Sequence, residues 1–284
     1  MVPVVSQLRT ADGLRLHRST WPTAGEARGT LLVVHGLGEH VGRYDALALR
    51  LNASGWRVSG FDHRGHGQSD GARGAIARRD SMLQDLARVI DALRNEVGGK
   101  LVLLGHSMGG LIAARFVAEG LQARPAAWHR EVDALVLSSP ALDTGMSAAQ
   151  RALLTALGPL APWLAVSNGL QPEWISRDAG VVAAYRADPL VHDRITPRLA
   201  RFIVDAGKAT LALAPRWSLA TLLLWAGSDR CVAPAGARAF ADAAPRGVVR
   251  AQCFEPLYHE IFNEPERDEV FAVLEAWLAE QAGQ

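Results

Sequence analysis

The chain contains very little cysteine. Cys231 and Cys253 are the two cysteines among 284 residues, too few for the disulfide framework of a small secreted protein. The first residues, MVPVVSQLRTADG, also lack the basic segment and apolar run of a secretory signal. Together these features predict a cytoplasmic protein with two reduced thiols.

Long apolar runs and an excess of one charge are also missing. The longest apolar candidate, residues 152–170, is broken by Gly158, Pro159 and Pro162, so we expect no membrane-spanning helix, which needs about 18 or more apolar residues. Lys and Arg number 30 against 29 Asp and Glu, which gives a net charge of +1. A basic face for nucleic acid is therefore not indicated, and we expect no nucleic-acid partner.

Short apolar runs alternate with helix-like segments along most of the chain. Such alternation is typical of an α/β fold with a mostly parallel central sheet and helices on both faces. Asp12-Gly13 between two extended runs predicts a leading antiparallel hairpin. The expected strands that follow are residues 30–35, 56–61, 100–105, 134–139, 219–226 and 248–253, and the expected helices are residues 43–54, 81–96, 108–119, 234–244 and 266–281.

Residues 143–215 interrupt this alternation. They contain several helix-like pieces and no convincing strand. We therefore predict a core formed by residues 1–142 and 216–284, with residues 143–215 as an α-helical insertion between two strands. An insertion at the carboxyl ends of the strands would cover the place where open α/β sheets bind ligands.

Ser107 stands between two glycines where an expected strand meets an expected helix. Gly105-His-Ser-Met-Gly109 is a Gly-x-Ser-x-Gly sequence in strand–turn–helix context, which is typical of a nucleophile elbow. Glycines on both sides give clearance to a serine on a strained turn. An ordinary glycine turn is the alternative interpretation.

A serine needs a base, and the chain order in this fold is Ser, then an acid, then His. Asp229 ends the expected strand before it, and His259 lies in the loop before the last helix. We predict that Ser107 attacks a carbonyl, that His259 moves the proton and that Asp229 orients the imidazole. Asp143 also follows a strand and is the rival acid. His106 adjoins the serine but would point away from it.

Acyl transfer also needs donors for the oxyanion. The backbone N–H of Met108 should be one, and that of Leu37, in the loop His35-Gly-Leu-Gly-Glu-His40, the other. The histidine pairs at 35 and 40 and at 63 and 66 lack the spacing of a metal site. No complete dinucleotide motif occurs either, so we expect no metal and no cofactor.

Several longer motifs stand in order along the chain: HGLGEH at 35–40 with GRY at 42–44, FDHRGHG at 61–67, GHSMGG at 105–110, SSPAL at 138–142, DPL at 188–190 and YHE at 258–260. Together they resemble one family, that of monoacylglycerol lipases and lysophospholipase-like serine hydrolases. The resemblance implies the α/β-hydrolase fold, with residues 143–215 as its cap. It also implies the triad Ser107, Asp229 and His259 with oxyanion donors at Leu37 and Met108.

The family's substrates would enter through the insertion. Leu153 and Leu157 have helix-like spacing and, with Trp163 and Trp174, are our candidate substrate-binding residues. An apolar helix face there could line an acyl channel, touch a membrane surface transiently or simply pack on the core. Arg177, Arg186, Arg194, Arg198 and Arg201 are spaced like solvated side chains and mark no obvious phosphate site.

The sequence therefore predicts a cofactor-free serine hydrolase of a small lipid ester, monoacylglycerol first. A lysophospholipase or a short-chain carboxylesterase is the nearest alternative. A perhydrolase that uses the same serine, and a silent binding module, are the more distant ones. The patterns do not indicate an oligomeric state.

Overall fold

The computed structural model describes residues 2–283, and its largest feature is an eight-stranded sheet. Two further strands form a small separate sheet. The strands are β1 (Val4–Arg9), β2 (Arg15–Trp21), β3 (Thr30–Val34), β4 (Arg57–Phe61), β5 (Leu101–His106), β6 (Ala134–Ser138), β7 (Val166–Ser167), β8 (Arg194–Ile195), β9 (Thr221–Ala226) and β10 (Val249–Phe254).

Eight α-helices accompany these strands within the described residues. The predicted helix that begins at Ser81 presents its apolar face to the core, with Leu86, Val89 and Ile90 buried. The helices are α1 (Asp45–Ala53), α2 (Ser81–Glu96), α3 (Met108–Glu119), α4 (Ala148–Leu157), α5 (Ala179–Ala187), α6 (Pro197–Leu213), α7 (Pro234–Ala243) and α8 (Arg267–Ala282).

The large sheet has the strand order β1-β2-β4-β3-β5-β6-β9-β10. β2 pairs antiparallel with both β1 and β4, and every pair from β4 to β10 is parallel. Central strands are apolar on both faces because helices cover both. In β5, Leu103 packs into one buried apolar cluster and Leu104 into the other. The predicted parallel sheet with a leading hairpin is confirmed.

The insertion, residues 143–215, lies between β6 and β9 in the chain and carries α4, α5 and α6. Our expectation that it lacks strands was wrong, because β7 and β8 pair antiparallel there. Two-residue strands are too short to show a periodic pattern. Within residues 2–283, no helix is long and apolar enough to cross a membrane.

The parallel strands all end at one edge of the sheet, and the loops at this edge carry the predicted site residues. Leu37 follows β3, Ser107 follows β5 and Asp229 follows β9, while His259 follows β10. Carboxyl ends of neighbouring parallel strands meet at such an edge, so residues far apart in the chain come close together.

Candidate active site

Ser107 occupies a strained turn between β5 and α3. Its φ and ψ are 54° and −122°, a conformation that is costly for a residue with a side chain. The surrounding backbone holds it there. Ser107 N–H donates to Ser138 O at 3.0 Å, and Ser107 O accepts from Ala141 N at 2.9 Å and from Leu111 N at 3.0 Å.

The flanking glycines provide the clearance that the sequence predicted. A Cβ on Gly105 would lie 2.5 Å from Gly109 O, and one on Gly109 would lie even closer to Val34 O. Gly110 has more room, since its Cβ would meet Pro140 Cβ at 3.0 Å. The elbow therefore depends on close approach of α3 to the carboxyl ends of β3 and β5.

Asp229 and His259 form a hydrogen-bonded pair. His259 Nδ1 and Asp229 Oδ2 are 2.6 Å apart, and the two side chains are 6% and 1% exposed. The other carboxylate oxygen of Asp229 accepts from the N–H groups of Cys231 at 2.8 Å and Val232 at 3.1 Å. A carboxylate fixed in this way places the proton on Nδ1 and leaves Nε2 with a lone pair.

Ser107 and His259 line the same cavity beside the sheet edge. No hydrogen bond within residues 2–283 joins Ser107 Oγ to the imidazole. Catalytic hydrogen bonds of this type commonly tighten when substrate binds. The predicted nucleophile Ser107 and the predicted base His259 therefore share one cavity, and the predicted acid Asp229 is hydrogen-bonded to the base.

The two alternative partners, Asp143 and His106, make other contacts. Asp143 Oδ1 accepts a hydrogen bond from Gly145 N at 2.9 Å, in a local turn. His106 Nδ1 lies 3.1 Å from Ser138 Oγ, and its ring centroid lies 4.7 Å from that of His259. Burial, with help from His259, lowers the pKa of His106 to about 4, so this ring is neutral beside the site.

The two predicted oxyanion donors flank Ser107. Leu37, in the loop after β3, and Met108, the first residue of α3, line an apolar cavity together with the serine. No hydrogen bond inside the described part of the chain uses either N–H group, so both can donate to a ligand. Gly36 N–H donates instead to Glu39 Oε1 at 2.5 Å and fixes the loop.

Two cavities that differ in polarity meet at Ser107. The apolar cavity has a volume of about 710 Å³ and is walled largely by aliphatic side chains of the insertion. The second has a volume of about 520 Å³, mixes polar and apolar side chains in its wall and also reaches His259; we call it the polar cavity. Residues that line both are Leu37, Ser107, Ser167, Asn168, Leu170 and Cys231.

The four candidate substrate residues have different positions. Leu153 lines the apolar cavity, whereas the side chain of Leu157 lies outside the described residues. Trp163 and Trp174 are not in the walls of either cavity. Trp163 stacks under Arg198, whose guanidinium carbon lies 3.7 Å from the ring centroid, and Trp174 faces Arg230 at 5.5 Å. Residue type alone does not show on which side of the insertion an aromatic ring lies.

Comparisons with known proteins show the family. A family model described as serine aminopeptidase, S33, matches residues 25–266. The chain belongs to this family. A monoacylglycerol lipase of Mycolicibacterium smegmatis is 34% identical over 94% of this chain and 93% of the relative. Phospholipase YtpA of Bacillus subtilis is 29% identical over 91% of this chain and 97% of that protein.

A solved structure of a relative supports the fold. The monoacylglycerol lipase of Paleococcus ferrophilus superposes with a TM-score of 0.82 at 34% identity, covering 94% of this chain and 99% of the other. The fold is therefore the α/β-hydrolase fold, as the motifs predicted, and the resemblance to serine hydrolases is confirmed.

A buried group of charges beside the site was missed by the sequence reasoning. Arg43 donates to Glu260 at 2.6 and 2.8 Å and to Glu39 at 3.0 Å, and Glu39 also accepts from Tyr44 OH at 2.8 Å. We call Glu39, Arg43 and Glu260 the charge cluster. Its residues stand inside the family motifs, and that position was the available signal.

The charge cluster affects the proposed base. Burial alone would lower the pKa of His259, but the negative charge and hydrogen bond of Asp229 outweigh burial, with help from Glu260 and Glu39, and the pKa is raised. These negative charges therefore favour the imidazolium that forms when His259 takes the serine proton.

One group at the site has ligand atoms spaced for a metal ion: those of Asp229, Cys231 and His259 all lie within 4.8 Å of one another. Two of these atoms already share the 2.6 Å hydrogen bond described above. Of the histidine pairs at 35 and 40 and at 63 and 66, His35, His63 and His66 lie in one buried cluster, where His35 Nε2 accepts from His63 N at 2.9 Å. His40 Nε2 lies 2.7 Å from Asp188 Oδ2 instead. Burial lowers the pKa of His35 and His63 well below the usual value.

Proposed function

We propose that this protein is a serine ester hydrolase that cleaves monoacylglycerol into fatty acid and glycerol, with Ser107, His259 and Asp229 as its triad. The observation that carries the proposal is the meeting of a large apolar cavity and a polar cavity at Ser107. A substrate with one acyl chain and one small polar alcohol fits such a site. The monoacylglycerol lipases among the relatives support it.

The chemistry follows from the roles of the side chains. His259 Nε2 takes the proton of Ser107 Oγ as the oxygen attacks the ester carbonyl, and the N–H groups of Leu37 and Met108 receive the oxyanion. The tetrahedral intermediate collapses to an acyl-serine, and glycerol leaves with the proton that His259 held. Water then attacks the acyl-serine with the same base, which releases the fatty acid and the serine.

Charges in the polar cavity favour a neutral alcohol. Glu39, Asp188, Asp193 and Glu260 line it, against a single arginine, Arg186. Arg186 already pairs with Glu173. Glu39 and Glu260 are paired with Arg43, and Asp188 is paired with His40. A phosphate in the leaving group would therefore find no uncommitted cation in this cavity. This absence of an uncommitted cation favours glycerol over a lysophospholipid head group.

The insertion would act as the cap and as the contact with the lipid surface. Around the apolar cavity, Leu153, Leu160 and Leu164 are 59%, 80% and 60% exposed, and Trp163 is 55% exposed. Clustered exposed apolar side chains mark interaction surfaces. Transient docking of this rim on a membrane would bring the cavity mouth to a monoacylglycerol dissolved in the bilayer.

The decisive experiment compares substrates with purified protein. We expect wild type to release fatty acid from 2-acylglycerol faster than from lysophosphatidylcholine or a short-chain nitrophenyl ester, and Ser107→Ala to lose activity on all three. Covalent labelling of wild type but not Ser107→Ala by a fluorophosphonate identifies the nucleophile. Preference for lysophosphatidylcholine would instead support the phospholipase alternative, and turnover of the nitrophenyl ester alone would overturn the lipid assignment.

A further inference from the structure

A further cleft adjoins the apolar cavity near the end of α4. It has a volume of about 410 Å³ and lies between the end of α4 and the start of α6. Leu154, Gly158 and Pro197 line both this cleft and the apolar cavity. The two spaces are therefore neighbours that share one wall.

Three arginines converge on this cleft. Arg79 comes from the loop before α2, and Arg198 and Arg201 come from the first two turns of α6. The sequence spacing predicts that Arg198 and Arg201 are separate solvated side chains, but the structure brings them together. They lie together because residues one turn apart on a helix share a face, and the fold adds Arg79 to them.

The positive charge of the cleft is only partly neutralised. Arg79 and Arg201 share one carboxylate, Asp205, at 3.6 and 3.2 Å. Arg198 has no carboxylate partner within the described residues; it donates to the backbone oxygen of Ala77 and stacks on Trp163. Three guanidinium groups against one carboxylate leave about two positive charges at the cleft. Guanidinium groups bind phosphate oxygens well.

We propose that this cleft binds the phosphate of an anionic phospholipid when the insertion docks on a membrane. Phosphate matches the excess positive charge of the three arginines, and the adjoining apolar rim at Leu160, Trp163 and Leu164 matches the acyl chains beside that phosphate. A free anion would contact the arginines but would leave the apolar rim without a partner. The cleft is separate from the catalytic cavity, so the phospholipid is a docking partner and not the substrate.

The test measures partition of the full-length protein onto two kinds of vesicle, pure phosphatidylcholine and phosphatidylcholine with 30 mol% phosphatidylglycerol. We expect wild type to bind the anionic vesicles more tightly. Arg198→Gln with Arg201→Gln should lose on the order of tenfold in that partition, with no change on neutral vesicles. Arg79→Gln with Arg201→Gln should show a similar loss, and it leaves the Arg198–Trp163 stack in place.

A matched control removes the same two charges elsewhere. Arg124 and Arg246 are exposed in the loops after α3 and α7, at the edge of the sheet opposite the active site, and Arg124→Gln with Arg246→Gln should bind anionic vesicles like wild type. The proposal is overturned if wild type shows no anionic preference, if the cleft variants keep it, or if the control loses as much. Hydrolysis of a soluble nitrophenyl ester, measured in parallel, reports folding and catalysis separately from docking.

Discussion

At the residue scale, the position of Asp229 relative to His259 makes a direct prediction. Its carboxylate accepts from Nδ1 at 2.6 Å and is itself held by two backbone N–H groups. Asp229→Asn would favour the wrong imidazole tautomer, because an amide can donate to Nδ1. We expect kcat for ester hydrolysis to fall by about 10⁴-fold, with the fold retained as judged by circular dichroism.

Asp143 provides the matched control, since it also follows a strand but caps a local turn. Asp143→Asn should leave kcat close to the wild-type value. A large loss of kcat in Asp143→Asn, together with a small loss in Asp229→Asn, would show that Asp143 is the acid of the triad.

The charge cluster predicts a pH effect. His259 must be neutral to accept the serine proton, so kcat/KM should fall as pH drops through the raised pKa of His259. Glu260 contributes to that rise, and Glu260→Gln removes its charge while Arg43 keeps Glu39 as a partner. We expect the acidic limb of the kcat/KM profile to move to lower pH.

The comparison for this prediction is Glu255→Gln, which removes the same charge from the same loop. Glu255 is 75% exposed and is well screened by water. Its profile should overlay that of wild type. An acidic limb that stays in place, or moves to higher pH, in Glu260→Gln would show that this carboxylate does not stabilise the imidazolium.

Single residues differ in how far sequence could place them. Ser107, Asp229 and His259 are predictable because each stands in a local pattern, at a strand end or in a loop before a helix. The fold brings them to one edge of the sheet. The pairing of Arg43 with Glu260 joins residues 217 positions apart. No local pattern specifies such a contact, because a charged residue usually lies at the surface.

At the element scale, the elbow depends on how closely α3 approaches the sheet. Gly109→Ala places a methyl group against the carbonyl oxygens of Val34 and His35, and neither backbone group can move without disturbing β3. We expect a loss of roughly 3 kcal/mol or more in the free energy of unfolding. Urea denaturation followed by fluorescence measures it.

Gly98→Ala is the control for this prediction. Gly98 lies in the loop between α2 and β5, and nothing lies within 4 Å of a Cβ built there. Its stability should change by less than about 1 kcal/mol. Equal stability of the Gly109→Ala and Gly98→Ala proteins would mean that α3 can shift away from the sheet at little cost.

The elements of the core were predictable because they are long and periodic or continuously apolar. The insertion was less so. β7 and β8 are two residues each, and their pairing depends on a contact between distant segments. The tertiary fold also decides which cavity each side chain near α4 lines. Sequence spacing does not show which residues line the apolar cavity and which line the cleft with Arg79, Arg198 and Arg201.

At the scale of the whole molecule, the exposed apolar surface is unevenly distributed. Nine large apolar side chains among the described residues are strongly exposed, and five of them belong to the insertion: Leu153, Leu160, Trp163, Leu164 and Val166. Four of them, Leu153, Leu160, Leu164 and Val166, also line the apolar cavity. If the protein docks on a lipid surface as we propose, this uneven distribution would turn the active site toward the lipid.

Trp163→Ser tests this orientation, because Trp163 belongs to the exposed rim but lines neither cavity at the serine. We expect its partition onto neutral phosphatidylcholine vesicles to fall about fivefold, as the loss of a half-exposed aromatic surface implies, with hydrolysis of a soluble ester unchanged. Leu49→Ser is the control, since Leu49 is 43% exposed on α1, outside the insertion. If Leu49→Ser weakens vesicle binding as much as Trp163→Ser, the molecule docks in no fixed orientation. The exposed rim of the insertion would then not be the face through which substrate passes from the bilayer to Ser107.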